Sequence, residues 1–185
     1  MDILHAFRYN KGKRSCGEMP LFRERTMRIL VFSDTHGDAD ALCGVLAAVP
    51  CDLALHLGDC TADCEEVRMF FPTVTLWQVA GNDYRDMMSG IHYEDTFEAG
   101  GVRIFMTHGH RYGVRSGPET VCAAAQARGA SLALYGHTHV AAAGRCGNVC
   151  YCNPGSASRA RCINGRSYAV ITIENGEINC EVVRF

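Results

Sequence analysis

The chain has 185 residues, of which 48% are apolar and 21% are charged, and its formal net charge is −2. This length and composition fit one globular domain with a sizeable core. The charge is close to neutral and forms no basic stripe, which argues against a nucleic-acid surface, and no apolar run is long enough to span a membrane.

The first 26 residues differ in character from the rest of the chain. They mix Arg, Lys, Glu and His without the apolar centre of a signal peptide. Periodic, foldable sequence begins at Met27, itself a candidate start codon. We therefore interpret 1–26 as a poorly ordered N-terminal extension or a start site assigned too early, and 27–185 as one domain. Without an export signal we expect a cytoplasmic protein with reduced thiols.

The first half of the domain alternates apolar runs with segments of helical spacing. Three apolar runs predict buried strands: 28–33, which is rich in β-branched and aromatic residues, 52–57 and 73–79. Helical spacing of apolar residues predicts two helices: 38–49 and 62–71. This alternation is typical of right-handed βαβ units with a largely parallel sheet.

The second half contains more strands than helices. Gly100-Gly101, between the segments 93–99 and 102–107, predicts a tight hairpin. An Ala-rich segment at 118–128, followed by Gly129, predicts a helix. The remaining apolar runs predict five strands: 131–135, 140–145, 149–152, 167–173 and 178–184.

The chain has 11 cysteines, four of them close in sequence: Cys146, Cys150, Cys152 and Cys162. No Cys-x-x-Cys pair is present, so we interpret the cysteines as small, half-buried side chains. In this interpretation Cys150 and Cys152 lie on opposite faces of one strand. A structural zinc site built from the four cysteines is the alternative.

Polar residues able to bind metals follow the ends of five predicted strands: Asp34-Thr-His36, Gly58-Asp59, Gly81-Asn82, His108-Gly-His110 and Gly136-His137-Thr-His139. Loops at the carboxyl ends of strands converge in α/β sheets, so we expect these side chains to lie together. Carboxylate, amide and imidazole donors without a thiolate suit Mn²⁺, Fe²⁺, Zn²⁺, Co²⁺ or Ni²⁺. Seven donors with one shareable carboxylate are enough for two ions about 3.5–4 Å apart. The adjacent glycines allow close approach of the backbone.

Taken in this order, the motifs resemble those of the calcineurin-like metallophosphoesterases. The element Asn153-Pro-Gly-Ser156 is similar to one in the small prokaryotic phosphodiesterase branch of that superfamily, and the resemblance runs from Met27 to Phe185. It implies an α/β fold in four layers, an α-β-β-α sandwich of two mixed sheets, with a dinuclear metal site at the carboxyl ends of the strands.

The resemblance also implies ligand roles. The first ion would be held by Asp34, His36, Asp59 and His139. Asp59 would bridge to a second ion, which would also be bound by Asn82, His108 and His137. The implied cofactor is two divalent ions per chain, with Mn favoured and Fe, Zn, Ni or Mg as alternatives. The expected reaction is hydrolysis of a small phosphate ester, with a phosphodiester as the expected substrate, by a metal-bridging hydroxide; Asp59, Asn82 and His108 would be catalytic through this centre.

Asp83 departs from the pattern of many relatives, which have a His directly after the metal-binding Asn that helps the leaving group to depart. We keep Asp83 as a candidate general acid, although nearby cations disfavour a protonated carboxyl group. His110 either supports the metal ligands from behind or is an ordinary loop histidine. Cys60 either lines the site as a small side chain or takes part in the hydrolysis. Four arginines are either phosphate contacts or solvated surface residues: Arg85, Arg111, Arg115 and Arg159.

Two other interpretations stay open. The retromer scaffold subunit shares this fold, so the chain could be a non-catalytic, metal-binding interaction module. The second alternative is the cysteine-based metal protein described above. Exposed edge strands also leave a homo-oligomer open.

Overall fold

The computed structural model describes residues 26–158 and 165–185. The strands, numbered in chain order, are β1 (Met27–Phe32), β2 (Leu53–His56), β3 (Leu76–Gln78), β4 (Glu94–Ala99), β5 (Val102–Thr107), β6 (Leu132–Leu134), β7 (Ala142–Cys146), β8 (Val149–Asn153), β9 (Ser167–Glu174) and β10 (Glu177–Arg184). The helices are α1 (Ala39–Ala48), α2 (Asp63–Phe70), α3 (Tyr84–Met88) and α4 (Glu119–Ala127), and a 3₁₀ turn covers His110–Tyr112. Residues 1–25, Arg159 and Cys162, about which predictions were made, lie outside the described residues.

The strands form two mixed five-stranded sheets. In the first, with the order β10-β9-β1-β2-β3, the strands β1, β2 and β3 are parallel, while β9 and β10 are antiparallel to their neighbours. In the second, with the order β4-β5-β6-β8-β7, the strands β5, β6 and β8 are parallel and the two edge strands are antiparallel. The predicted parallel pairing therefore holds for β1, β2 and β3, and the second sheet also has parallel strands at its centre.

The two sheets pack face to face between helices. Their shared core takes side chains from both, among them Ile29 and Leu55 from the first sheet and Ile104 and Leu134 from the second. The outer face of the first sheet is covered by α1 and α2, and that of the second by α4. The central strands are buried on both faces, which explains their continuous apolar runs. The expected four-layer α-β-β-α sandwich is confirmed.

Two local predictions differ from the structure. The third strand is shorter than 73–79 because the chain turns at its start, where Val74 N–H donates to Phe71 O at 3.0 Å. Helix α3 was not predicted. No helix in the described ranges is long and apolar enough to cross a membrane.

The placement of Cys150 and Cys152 on opposite faces of their strand is wrong. Both side chains lie in the core between the sheets, because residues two positions apart on a strand share a face. The nine cysteines within the described residues are free thiols, and none of them belongs to a compact group of metal-binding side chains there. Their burial fits the interpretation as small packing residues.

Candidate metal centre

The loops after the central strands meet at one end of the two sheets. Asp34 donates its backbone N–H to Gly58 O at 2.9 Å, which joins the loops after β1 and β2. The N–H of His137, after β6, donates to Oδ2 of Asp34 at 3.0 Å and so joins the two sheets. Further hydrogen bonds tie in the loops after β3 and β5: Asn82 N–H to Asp59 Oδ1 at 2.7 Å, and Gly136 N–H to His108 O at 3.0 Å.

Four of the predicted ligands form one compact group. One donor atom from each of Asp34, His36, Asp59 and His139 lies within 4.8 Å of the others. Nε2 of His139 is 3.1 Å from Oδ1 of Asp34 and 3.3 Å from Nε2 of His36. Oδ2 of Asp59 lies 3.9 Å from Nε2 of His36. This is the set that the resemblance implies for the first ion.

The other three predicted ligands lie next to this group. Nε2 of His108 is 3.4 Å from Oδ1 of Asp59 and 3.1 Å from Oδ1 of Asn82. The ring centroids of His108 and His137 are 5.2 Å apart. The structure therefore brings all seven residues together, with Asp59 in contact with a histidine from each set.

The carboxylates of the site are buried and charged. Asp34 is fully buried, and no well-aligned hydrogen bond reaches its Oδ1 although Nε2 of His139 is close. Burial opposes ionisation of Asp34, but His139 and His108 outweigh it and hold the pKa of Asp34 below its ordinary value. Burial also opposes ionisation of Asp59, and His108 together with two backbone N–H groups lowers its pKa. Two buried negative charges require cationic partners.

A backbone carbonyl orients His108. Its Nδ1 lies 2.8 Å from Leu57 O, and because a carbonyl only accepts, Nδ1 carries the hydrogen. Nε2 therefore faces the oxygens of Asn82 and Asp59. Burial lowers the pKa of His108, but the hydrogen bond to Asp59 and the charge of Asp34 raise it above its ordinary value. A proton on Nε2 and a bound divalent cation would each lie between Nε2 and the oxygens of Asn82 and Asp59, so the two compete for this position.

Backbone strain is concentrated at the predicted ligands. Five of them have a left-handed conformation, with φ between 49° and 68°: Asp34, His36, Asp59, His137 and His139. Among the other non-glycine residues at 26–158 and 165–185, only Cys60 and Asn175 share it. Each such residue costs on the order of 1–3 kcal/mol, and such strain clusters at functional sites. The strain at these loops is the kind that a functional site would show.

Two glycines allow backbone to pass next to the carboxylates. A Cβ on Gly81 would lie 2.2 Å from Oδ1 of Asp59. A Cβ on Gly136 would lie 1.9 Å from Oγ of Ser33 and 2.8 Å from Oδ2 of Asp34. No side chain fits at these distances, so the predicted role of glycine in close approach is confirmed at both positions.

Asp86 was not among the predicted site residues, yet it connects two loops of the site. Its side chain is 1% exposed and accepts the N–H groups of Asp59 at 2.9 Å and Gly81 at 2.7 Å. It also accepts the N–H and the hydroxyl of Thr61, at 2.8 and 2.7 Å. Asp86 lies near the carboxylates of Asp59 and Asp83, but its oxygens are already used by these four donors. The available sequence signal was the Asp-x-x-Asp spacing of Asp83 and Asp86, which is typical of a helix start.

Asn153 and Ser156 also support the ligand loops. Nδ2 of Asn153 donates to Gly136 O at 2.9 Å, and the hydroxyl of Ser156 donates to Asp34 O at 2.8 Å. Both side chains are fully buried. The element that carried part of the resemblance therefore positions ligand-bearing loops from both sheets.

Asp83 and Cys60 have local partners. Oδ1 of Asp83 accepts the N–H of Asp86 at 2.8 Å, which makes Asp83 the N-cap of α3. Its role as a general acid stays a prediction. The Cys60 thiol donates to Oδ1 of Asp63 at 3.3 Å, and burial together with Asp63 raises the pKa of Cys60 to about 11. A protonated, hydrogen-bonded thiol favours the interpretation that Cys60 only lines the site.

The ring of His110 lies near two of the predicted ligands. Its ring centroid is 5.4 Å from that of His108 and 6.2 Å from that of His137. Burial and the charge of His108 lower the pKa of His110 to about 4. Of the arginines, Arg115 lines a cleft beside His137, whereas the guanidinium of Arg111 lies 3.6 Å from the ring centroid of Tyr93.

Comparison with known proteins agrees with this geometry. Residues 27–176 match the model of the calcineurin-like phosphoesterase superfamily domain, and the chain belongs to this superfamily. It is 29% identical over 161 residues to the probable metallophosphoesterase YsnB of Bacillus subtilis (strain 168), a match covering 86% of this chain and 90% of that protein. It is 28% identical over 114 residues to the phosphodiesterase YfcE of Escherichia coli (strain K12), covering 62% of this chain and 49% of that protein.

A solved structure shares the fold. The crystal structure of a conserved uncharacterized protein, a predicted phosphoesterase from Streptococcus pneumoniae TIGR4, aligns with a TM-score of 0.71 at 27% identity, covering 86% of this chain and 90% of that one. The family and these relatives indicate a phosphoesterase hydrolase, and the resemblance expected from the motifs is confirmed.

Proposed function

We propose that the chain is a phosphodiesterase that depends on two divalent cations, with Mn favoured and Fe, Zn, Ni or Mg as alternatives. The observation that carries this proposal is the convergence of strained, donor-bearing loops on Asp34, whose buried Oδ1 has no well-aligned hydrogen bond. Oxygen and imidazole donors without thiolate fit such ions. One ion would be held by Asp34, His36, Asp59 and His139, and the other by Asp59, Asn82, His108 and His137. The bound cations would supply an acidified water and neutralise charge on the phosphoryl oxygens.

The residues of the chain prepare the site for this chemistry. Leu57 O fixes the ring of His108, so that Nε2 faces the site. Burial and the charges of His108 and Arg115 lower the pKa of His137, which favours the neutral imidazole that a metal requires. Asp83 caps α3, and we therefore expect esters with good leaving groups to react fastest.

A phosphodiester is the favoured substrate because YfcE, a relative, is named a phosphodiesterase. The free thiols of the described residues fit a reducing compartment, and we propose a cytoplasmic location.

The test is hydrolysis of bis(p-nitrophenyl) phosphate and p-nitrophenyl phosphate by metal-stripped protein resupplied with Mn²⁺. We expect Asp59→Asn and His108→Ala to lose more activity than the roughly 10–100-fold typical of residues behind the ligands. The matched controls, Asp95→Asn and His92→Ala, change exposed residues and should retain activity. Turnover that survives both ligand substitutions would contradict the proposal.

A metal-binding interaction module without catalysis is the second candidate. The observation that favours it is the use of the Asp83 carboxylate as a helix cap, in the position where many relatives have a His. Binding of two Mn²⁺ per chain without turnover of either ester would place this candidate first.

A further inference from the structure

A cleft of about 740 Å³ opens beside the candidate metal centre. His137 and His139 line one side of it, and residues 114–118 line another. Sites for small molecules have volumes of roughly 300–1,000 Å³. The cleft is therefore large enough for a group that continues from a phosphate bound at the metal centre.

The lining of this cleft is aromatic and aliphatic. Tyr151 contributes a half-buried ring, and Pro118 and Val140 add accessible aliphatic surface. Tyr135, which is 4% exposed, packs beside Tyr151 with ring centroids 6.3 Å apart. Aromatic side chains of this kind stack on flat, uncharged groups. The apolar part of the cleft thus offers an aromatic ligand group a surface to pack on.

The two clefts that reach the candidate metal centre differ in the charges that line them. Among the described residues that line the cleft, Arg115 supplies a positive charge and no residue supplies a carboxylate. A second cleft of about 470 Å³, which reaches the site at His36, is lined by Asp38, Asp40 and Glu66. Carboxylates repel an anionic ester, whereas a guanidinium attracts it. The charges therefore favour the direction towards Arg115 for an anionic substrate.

We infer that this cleft binds the ester group that stays on the phosphate, and that this group is a flat aromatic one. A phosphomonoester has no such group and would leave the cleft filled with water. The inference rests on the proposed phosphodiesterase function and narrows its substrate class to aryl or nucleoside-like diesters.

The test compares two diesters with the same leaving group, bis(p-nitrophenyl) phosphate and methyl p-nitrophenyl phosphate, on Mn²⁺-loaded protein. Val140 is 37% exposed and accepts substitution, so Val140→Asp places a charge in the cleft without disturbing the core. We expect the aryl-to-methyl ratio of kcat/KM to fall about tenfold, as for other losses of apolar contact in a pocket. The control, Met69→Asp, changes a residue that is 72% exposed outside the cleft and should leave the ratio unchanged.

Calorimetric binding of diphenyl phosphate and dimethyl phosphate separates this inference from the proposed function. We expect the protein to bind diphenyl phosphate at least about tenfold more tightly, and Val140→Asp to reduce that preference. If neither diester is hydrolysed but this preference is found, the phosphodiesterase proposal fails, and only the preference of the cleft for an aromatic ester group stands. If both diesters are hydrolysed with a ratio that Val140→Asp does not change, the cleft inference is overturned.

Discussion

Replacing Asp86 by Asn tests whether one buried carboxylate holds two ligand-bearing loops together. Oδ2 of Asp86 accepts the N–H groups of Asp59 and Gly81, and Oδ1 accepts the N–H and hydroxyl of Thr61. An amide has one acceptor oxygen, so its NH₂ group must face two of these four donors in either orientation. If the NH₂ group faces Asp59 and Gly81, two backbone donors are left unsatisfied; if it faces Thr61, the hydroxyl can turn to accept from it, and only the N–H of Thr61 is left unsatisfied. The second orientation costs less, so the substitution removes at least one hydrogen bond to a charged acceptor.

The expected loss of stability follows from these four contacts. Each hydrogen bond to a charged group contributes roughly 1.5–3 kcal/mol, so the loss of one in the less costly orientation amounts to about 1.5–3 kcal/mol before the loops relax. Domains have free energies of unfolding of about 5–15 kcal/mol, and we expect the variant to remain folded. Thr61→Val removes only the hydroxyl donor at 2.7 Å and should cost about 1–2 kcal/mol.

Urea unfolding of the metal-free protein, followed by circular dichroism, measures these differences. Asp95→Asn, at an exposed carboxylate, is the matched control and should change the free energy of unfolding by less than about 0.5 kcal/mol. Calorimetric titration with Mn²⁺ is the second readout, since a displaced Asp59 should weaken binding by roughly 10–100-fold. A free energy of unfolding for Asp86→Asn within about 1 kcal/mol of wild type would refute the reasoning.

Four further predictions concern the ligands and their neighbours. Because His36 has a φ of 49°, metal-free His36→Gly should be about 1 kcal/mol more stable than His36→Ala in urea unfolding; equal stabilities would contradict a strain of this size. Cys60→Ala should keep kcat within about twofold of wild type, and a tenfold loss would give the thiol a part in the reaction. Asp83→Asn retains the oxygen that caps α3, so the variant should hydrolyse methyl phenyl phosphate and methyl p-nitrophenyl phosphate with the same fractional loss of turnover. A larger loss with the phenyl ester, which has the poorer leaving group, would identify Asp83 as the proton donor. Mn²⁺ at 100 times its Kd should raise the free energy of unfolding by about 2.7 kcal/mol, an effect that Asp59→Asn should remove; unchanged stabilisation in the variant would argue against Asp59 as a ligand.

The buried strands and longer helices could be predicted because their apolar periodicity is strong. The strand predicted at 28–33 forms at Met27–Phe32, and the helix predicted at 118–128 forms at Glu119–Ala127. Helix α3 has five residues, too few for a periodic signal, and is recognised only by its cap at Asp83.

The grouping of the seven candidate ligands could be predicted because chemistry and position agree: each follows an apolar strand and each offers oxygen or imidazole. The supporting residues could not be predicted in this way. Ser156 donates to the backbone of Asp34, which is 122 positions earlier in the chain, and Asp86 accepts mainly backbone N–H groups. Because every residue offers similar backbone atoms, side-chain types and their spacing say little about such partners.

The hydrogen bonds around the ligands hold their strained backbone conformations in place. A left-handed residue with a side chain persists only where its surroundings determine its conformation. Asp34 has its carbonyl fixed by Ser156 and its carboxylate by His137 N–H, and the N–H of Asp59 is fixed by Asp86. The donors are thus held in place before a cation arrives. A site ordered in advance loses little conformational entropy on binding, so we expect Mn²⁺ affinity to depend on these buried hydrogen bonds as well as on the ligands themselves.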